Sequence, residues 1–186
     1  LYVSHLSRSL QTAEAIVQHT GVSLTVEPAL AEMHLGQWEG RTPEEIDAQF
    51  TGAYARWRVA PSQVTIPDAE PVVQFRTRVR EAFDRIAAAH AEDETVILVT
   101  HGGVIASLLA ECLEADYDRL LQRVTLGNAG ISAVDCRTYP PHVLWINATA
   151  HLQDGRLAPH GVEVRVIPRP DAVPRSGTSR PNGREI

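Results

Sequence analysis

Thr95-Val96-Ile97-Leu98-Val99-Thr100-His101-Gly102-Gly103-Val104 sets the architecture of this chain. The first five residues run β-branched or apolar without a charged break, as a strand buried on both faces of a sheet does. His101, Gly102 and Gly103 end that strand, and Val104 to Leu113 reads as a helix. Open α/β sheets bind ligands at the carboxyl ends of their strands, and two glycines there let a ligand approach the backbone.

The flanking segments continue the alternation. Val72 to His90 reads as a helix with Phe75, Val79, Phe83, Ile86 and Ala87 along its apolar stripe. Before it, Ala60 to Pro71 is irregular, with three prolines, and Thr42-Pro43-Glu44-Glu45 is a helix start. Leu30 to Gly40 reads as a loop. Ser7 to Thr20 is a helix stopped by Gly21, lying between strand-like Tyr2-Val3 and Ser23 to Val26. Ile131 to Val134 and Val143 to Ile146 read as two late strands. The expectation is an α/β protein with both faces of its sheet covered by helices.

The chain has 186 residues, 44% of them hydrophobic, enough for one core. One domain over residues 1–167 is expected. Residues 168–186 hold four prolines, two glycines and four arginines with few apolar side chains, a composition that predicts disorder. The formal charge of −6 argues against a nucleic-acid or anionic-membrane binder, and no apolar run is long enough to span a bilayer. All 17 basic residues are Arg, so chemistry that needs a lysine amine or a Walker-type phosphate loop is excluded. Cys112 and Cys136 do not make a disulfide framework; Cys112 reads as a small core residue, and a cytoplasmic location follows.

Three segments could carry chemistry. Ser4-His5-Leu6-Ser7-Arg8 joins a strand to a helix, where backbone N–H groups favour an anion and Arg8 could grip it with its planar fork. The turn at His101 and Gly102 is the second. The third is the loop Leu30-Ala31-Glu32-Met33-His34-Leu35-Gly36-Gln37-Trp38-Glu39-Gly40, in which Glu32 is a candidate proton donor and His34 a candidate substrate contact.

In order and spacing these segments resemble the histidine phosphatase superfamily, the phosphoglycerate mutase-like proteins. The pattern Ser-Pro-Leu-x-Arg-Ala-x-Gln-Thr-Ala is met by Ser4, Leu6, Arg8, Gln11, Thr12 and Ala13, with His5 and Ser9 departing from it. Leu-x-Glu-x-x-x-Gly-x-Trp-Glu-Gly is met in full by Leu30, Glu32, Gly36, Trp38, Glu39 and Gly40. Of a Pro-Gly-Gly-Glu-Ser loop only Pro67 and Glu70 remain, whereas His101-Gly102-Gly103 matches the second His-Gly motif. The resemblance runs from Leu1 to Leu152.

It implies a three-layer phosphoglycerate mutase-like fold with a central, mostly parallel sheet. It also implies a metal-independent, cofactor-free phosphomonoester hydrolase acting on a small phosphorylated metabolite through a phosphohistidine. Arg8 would hold phosphate oxygens, with Ser4, Gly102 and His34 as further substrate contacts. His101 would stabilise the charge spread over the phosphoryl group, and Glu32 would serve as acid, then base. The attacking histidine of the family stands in an Arg-His-Gly motif on the first strand, and no Arg-His pair occurs here. Since the chain opens on Leu1 and its one Met is Met33, the expectation is an inactive chain lacking that strand. His5 is the nearest substitute by position, but in-line attack demands placement that adjacency does not supply.

Three alternatives are weighed. A non-catalytic member would bind phosphorylated ligands through Arg8 and His101. A phosphoglycerate mutase-type phosphotransferase is disfavoured by the short, lysine-free loop after Glu32. A metal hydrolase using Glu32, His34 and His101 lacks a recognised ligand spacing. A monomer or homodimer is expected, without nucleic-acid or membrane partners.

Overall fold

β1 (Tyr2–Val3) lies between two parallel neighbours, β2 (Thr25–Val26) and β3 (Leu98–Val99), in the computed structural model, which describes residues 1–152. Tyr2 is level with Thr25 and Leu98, and Val3 with Val26 and Val99. The ladder continues through Ser4, whose N–H donates to Val99 O at 3.1 Å. Parallel neighbours need a crossover. α1 (Ser7–Thr20) supplies it and stops where Gly21 turns to φ 70° and donates its N–H to Val17 O. The boundary expected at 167 and the tail 168–186 lie outside the described residues.

One expectation about the sheets needs correction. Of the run from Thr95 to Val99, Leu98 and Val99 form β3 and Ile97 adds its carbonyl, which accepts the Tyr2 N–H at 2.8 Å; both β3 residues are half-buried rather than enclosed. The reason is position: β3 is an edge strand, paired with β1 alone among the described residues. The two late strands, β4 (Ile131–Asp135) and β5 (His142–Ala148), pair antiparallel in a sheet of their own. Val143 and Ile146 pack against the main core, while Ile131, Leu144 and Trp145 are exposed.

Helices flank the parallel sheet. α2 (Pro43–Gln49) opens with a capping box between Thr42 and Glu45, as its sequence predicts. α3 (Ala53–Val59) was not expected. α4 (Val72–Ala88) packs on α5 (Gly102–Cys112), which also meets α6 (Tyr117–Leu121). Phe75, Val79, Val104 and Leu109 are fully or almost fully buried between them. Each contributes about 1.5–3 kcal/mol relative to exposure. Leu30 belongs to this core although its neighbours form a loop.

A second, smaller core forms beside the first. Trp38, Ile46, Ala53 and Ile66 are buried, with Phe50, Tyr54 and Trp57 against them. The Trp38 ring meets Trp57 edge-on at 6.1 Å and lies 6.4 Å from both Phe50 and Tyr54. Asp118 joins the cores by accepting from the Ser62 N–H and hydroxyl. The loop that carries Glu32 is therefore anchored by Leu30 in one core and Trp38 in the other.

One side chain sits elsewhere than expected. Cys112 is not in the core. With Cys136 it lines a groove of about 430 Å³ between α4, α5 and residues 136–141, because the buried face of α5 is carried by Val104, Ala106, Ser107, Leu109 and Ala110. Just past the end of α4, His90 hydrogen-bonds the Tyr2 hydroxyl and the Glu94 carboxylate, each at 3.0 Å.

Candidate active site

His101 is the N-cap of α5, leaving the sheet in an extended conformation with 7% of its surface exposed. Arg8, in the first turn of α1, directs its Nε–H at His101 Nδ1, 3.2 Å away. A guanidinium has no acceptor, so Nδ1 must present a lone pair and the neutral ring carries its proton on Nε2. That proton points to Ser4 Oγ at 2.8 Å, with Ser9 Oγ at 3.3 Å. Burial pushes the His101 pKa down, and the positive charge of Arg8 adds to that push; Glu32 opposes it. The imidazole is thus held neutral and in one tautomer.

Glu32 reaches the same turn from the other side. Its Oε2 accepts the Gly103 N–H at 2.9 Å, and its Oε1 accepts the Met33 N–H at 2.9 Å. A carboxylate on a backbone amide at the start of α5 is stabilised by the helix dipole. Residue 103 must be glycine for this contact, since a Cβ there would stand 2.3 Å from Glu32 Oε1. Gly102 is exposed, with open space where a side chain would be. The Leu30 carbonyl next to this segment accepts from the Thr100 hydroxyl at 2.7 Å.

The opposite end of the Glu32 loop is locked to residues 66–70. Gly36 sits at φ 53°, where a Cβ would fall 2.2 Å from Pro67 O. The Gln37 N–H donates to that same oxygen at 3.0 Å. Asp68, where the family pattern has glycine, adopts φ 59° and accepts from Gln37 Nε2 at 3.0 Å. Arg78 of α4 underpins the loop through contacts to Ala29, Ala31, Glu32 and Glu70.

The structure thus brings Arg8, His101, Ser4, Gly102 and Glu32 to one end of the sheet. Ser4 is fully buried, with its hydroxyl turned to His101. His34 stands apart: 60% of its side chain is exposed, and its ring meets the Gly36 N–H and the Glu39 carboxylate. His5 is exposed, near enough for its charge to disfavour protonation of His101. No group of three His, Cys, Asp or Glu among the described residues is placed to hold a metal ion. Sequence reasoning missed Ser9, Thr100 and Arg78; for Ser9, its departure from the family's alanine was a signal.

The parallel sheet, its flanking helices and the histidine at a strand-to-helix turn define a phosphoglycerate mutase-like α/β protein. The chain belongs to the histidine phosphatase superfamily, branch 1, whose family model matches residues 1–149. It is 37% identical over 135 residues to a glucosyl-3-phosphoglycerate phosphatase of Mycolicibacterium vanbaalenii, an alignment covering 68% of this chain and 58% of that protein. The chain thus spans less than two thirds of that relative's length. Among solved structures, a mycobacterial glucosyl-3-phosphoglycerate phosphatase in complex with inorganic phosphate superposes with a TM-score of 0.71. Its identity is 29%, with 81% of this chain and 77% of that one covered. Bacillus stearothermophilus YhfR gives a TM-score of 0.77 at 28% identity, covering 82% and 75%.

Proposed function

We propose that this protein is a phosphomonoester hydrolase that works through a phosphohistidine, with Arg8, His101 and Glu32 as its phosphate-handling groups. The supporting observation is the Arg8–His101 contact at 3.2 Å: a fixed cation beside a neutral, oriented imidazole, open to an anion at Gly102. Arg8 and the Gly102 N–H hold phosphate oxygens, and His101 faces the phosphoryl group. Ser4, assigned to substrate from sequence, instead orients the His101 ring. His34 meets only the distal part of a substrate.

In the first step a histidine nitrogen attacks phosphorus; the P–N bond forms as the P–O bond to the leaving group breaks. Glu32 gives its proton to the departing alkoxide. Water then attacks phosphorus, Glu32 takes its proton, and the P–N bond breaks to release phosphate. None of the positions that match the family pattern supplies the attacking histidine. We place it outside these 186 residues, on a strand that would pair with the sheet. The reading carries with it a cytoplasmic monomer or homodimer without metal or cofactor. The substrate is a small phosphorylated metabolite, and the name of the mycobacterial relatives makes glucosyl-3-phosphoglycerate the first compound to assay.

A second reading, a non-catalytic phosphate-ligand-binding member, is favoured by the absence of any Arg-His pair. One experiment separates the two. The protein is isolated from its own cells, its intact mass is measured against 20.4 kDa, and phosphate release is assayed with trapping of an acid-labile phosphoprotein. Turnover through such an adduct supports the hydrolase. Phosphate binding without turnover supports the second reading, and failure to bind phosphate overturns both.

A further inference from the structure

We propose that Arg78 is the positioning residue that fixes Glu32 against the His101 turn. What Glu32 does there rests on the phosphatase reading above; where Arg78 holds it does not. A guanidinium is a flat fork with five N–H donors, and here every one has an acceptor. Nε and Nη2 grip the two carboxylate oxygens of Glu70 at 2.6 and 2.8 Å. Nη1 donates to the carbonyls of Ala29 and Ala31 at 2.7 and 2.8 Å. The second hydrogen of Nη2 meets the carbonyl of Glu32 itself at 3.2 Å. The Phe75 ring lies against the guanidinium, its centroid 5.0 Å from Cζ.

Three carbonyl dipoles of one short loop therefore converge on a single cation. Without it their negative ends would repel, and the loop would open. Glu70 balances the charge and adds a second hold, since its N–H donates to His34 O at 2.9 Å. Residues 29–34 are pinned from both sides of Glu32. With the backbone of Glu32 fixed, its carboxylate reaches the Gly103 N–H at 2.9 Å. A lysine would keep the charge but has three donors on one nitrogen, which cannot span a carboxylate and three carbonyls.

The Gly103 amide reports this contact without needing turnover. In the full chain, labelled with ¹⁵N, Glu32→Ala supplies the Gly103 resonance of the broken contact. Arg78→Met is expected to move the Gly103 resonance to that position while Val3 and Leu109, buried and remote in sequence, keep theirs, and Arg78→Lys is expected not to rescue it. A wild-type Gly103 resonance in either variant overturns the proposal. Should Arg78→Met fail to fold, Glu70→Gln reads the same contact, since a neutral amide cannot hold the fork on two oxygens. An intermediate shift is expected there, and an unmoved resonance overturns the proposal as well. Inorganic phosphate titrated into the wild-type chain keeps the two readings apart. If it leaves His101 unperturbed, the phosphatase reading fails while the Gly103 result stands.

Discussion

At the residue scale the site turns on the protonation of one ring. With Arg8 on Nδ1, His101 is a poor base until an anion arrives. A bound phosphate would draw Arg8 toward its oxygens and favour the imidazolium. Saturating inorganic phosphate should therefore raise the His101 pKa, read from its ring protons by NMR; an unchanged titration would contradict this. The same shift has a consequence for stability. In the unfolded chain His101 titrates near about 6.5, whereas burial and Arg8 lower it in the fold. Above that ordinary value both states are neutral and nothing is lost. As pH falls through it, the unfolded chain takes up a proton that the folded chain resists, so stability declines until the folded pKa is also passed. His101→Gln should flatten this part of the curve of unfolding free energy against pH. In protein that carries the attacking histidine, Arg8→Ala and His101→Ala should each lower turnover by about 10²–10³-fold, the range for removing one donor to transition-state charge. Glu32→Gln should slow alkyl phosphates far more than p-nitrophenyl phosphate, whose leaving group hardly needs a proton; equal losses would remove Glu32 as the acid.

At the element scale the Glu32 loop is a span between two cores. Trp38 anchors its far end among Phe50, Tyr54 and Trp57. Trp38→Ala should cost about 3–5 kcal/mol of folding free energy, measured by urea denaturation. Gly36→Ala should also destabilise, by about 1–3 kcal/mol from backbone strain alone, because its Cβ would run into the backbone of residues 67–69. Gly103→Ala differs in kind. The atoms nearest its Cβ belong to the carboxyl end of the Glu32 side chain, which can turn away, so stability should hold while the carboxylate is displaced. The elements differed in how plainly the chain announced them. α1 and α4 carry apolar stripes, and α1 a glycine stop at Gly21, so their bounds were readable to within about two residues; of α2 only the start was readable, from its Thr42–Glu45 capping box. α3 was not, because seven residues between Gly52 and Ala60 are too few for a periodic signal. Arg78 was unreadable for another reason: its meaning lies in acceptors from two loops, eight to 49 positions away in sequence.

At the scale of the whole molecule, the two candidate site segments at strand ends, at Ser4–Arg8 and His101–Gly103, were legible because each joins a strand to a helix in a few residues. Their roles within the site were less so. Ser4 reads as a ligand contact until the fold turns its hydroxyl inward to His101. The sheet order was not legible, and it matters: among the described residues β3 is an edge, and the β4–β5 hairpin leaves Ile131, Leu144 and Trp145 exposed. Edges of this kind pair with other chains, so this chain should associate with rising concentration in sedimentation velocity runs. The central claim is that Arg8 and His101 form a phosphate site. Its most direct test is an NMR titration of the wild-type chain and of Arg8→Ala with inorganic phosphate, following His101. A saturable shift in the wild type that the variant loses is the predicted result. A His101 signal indifferent to phosphate in the wild type, or equally responsive without Arg8, would contradict it.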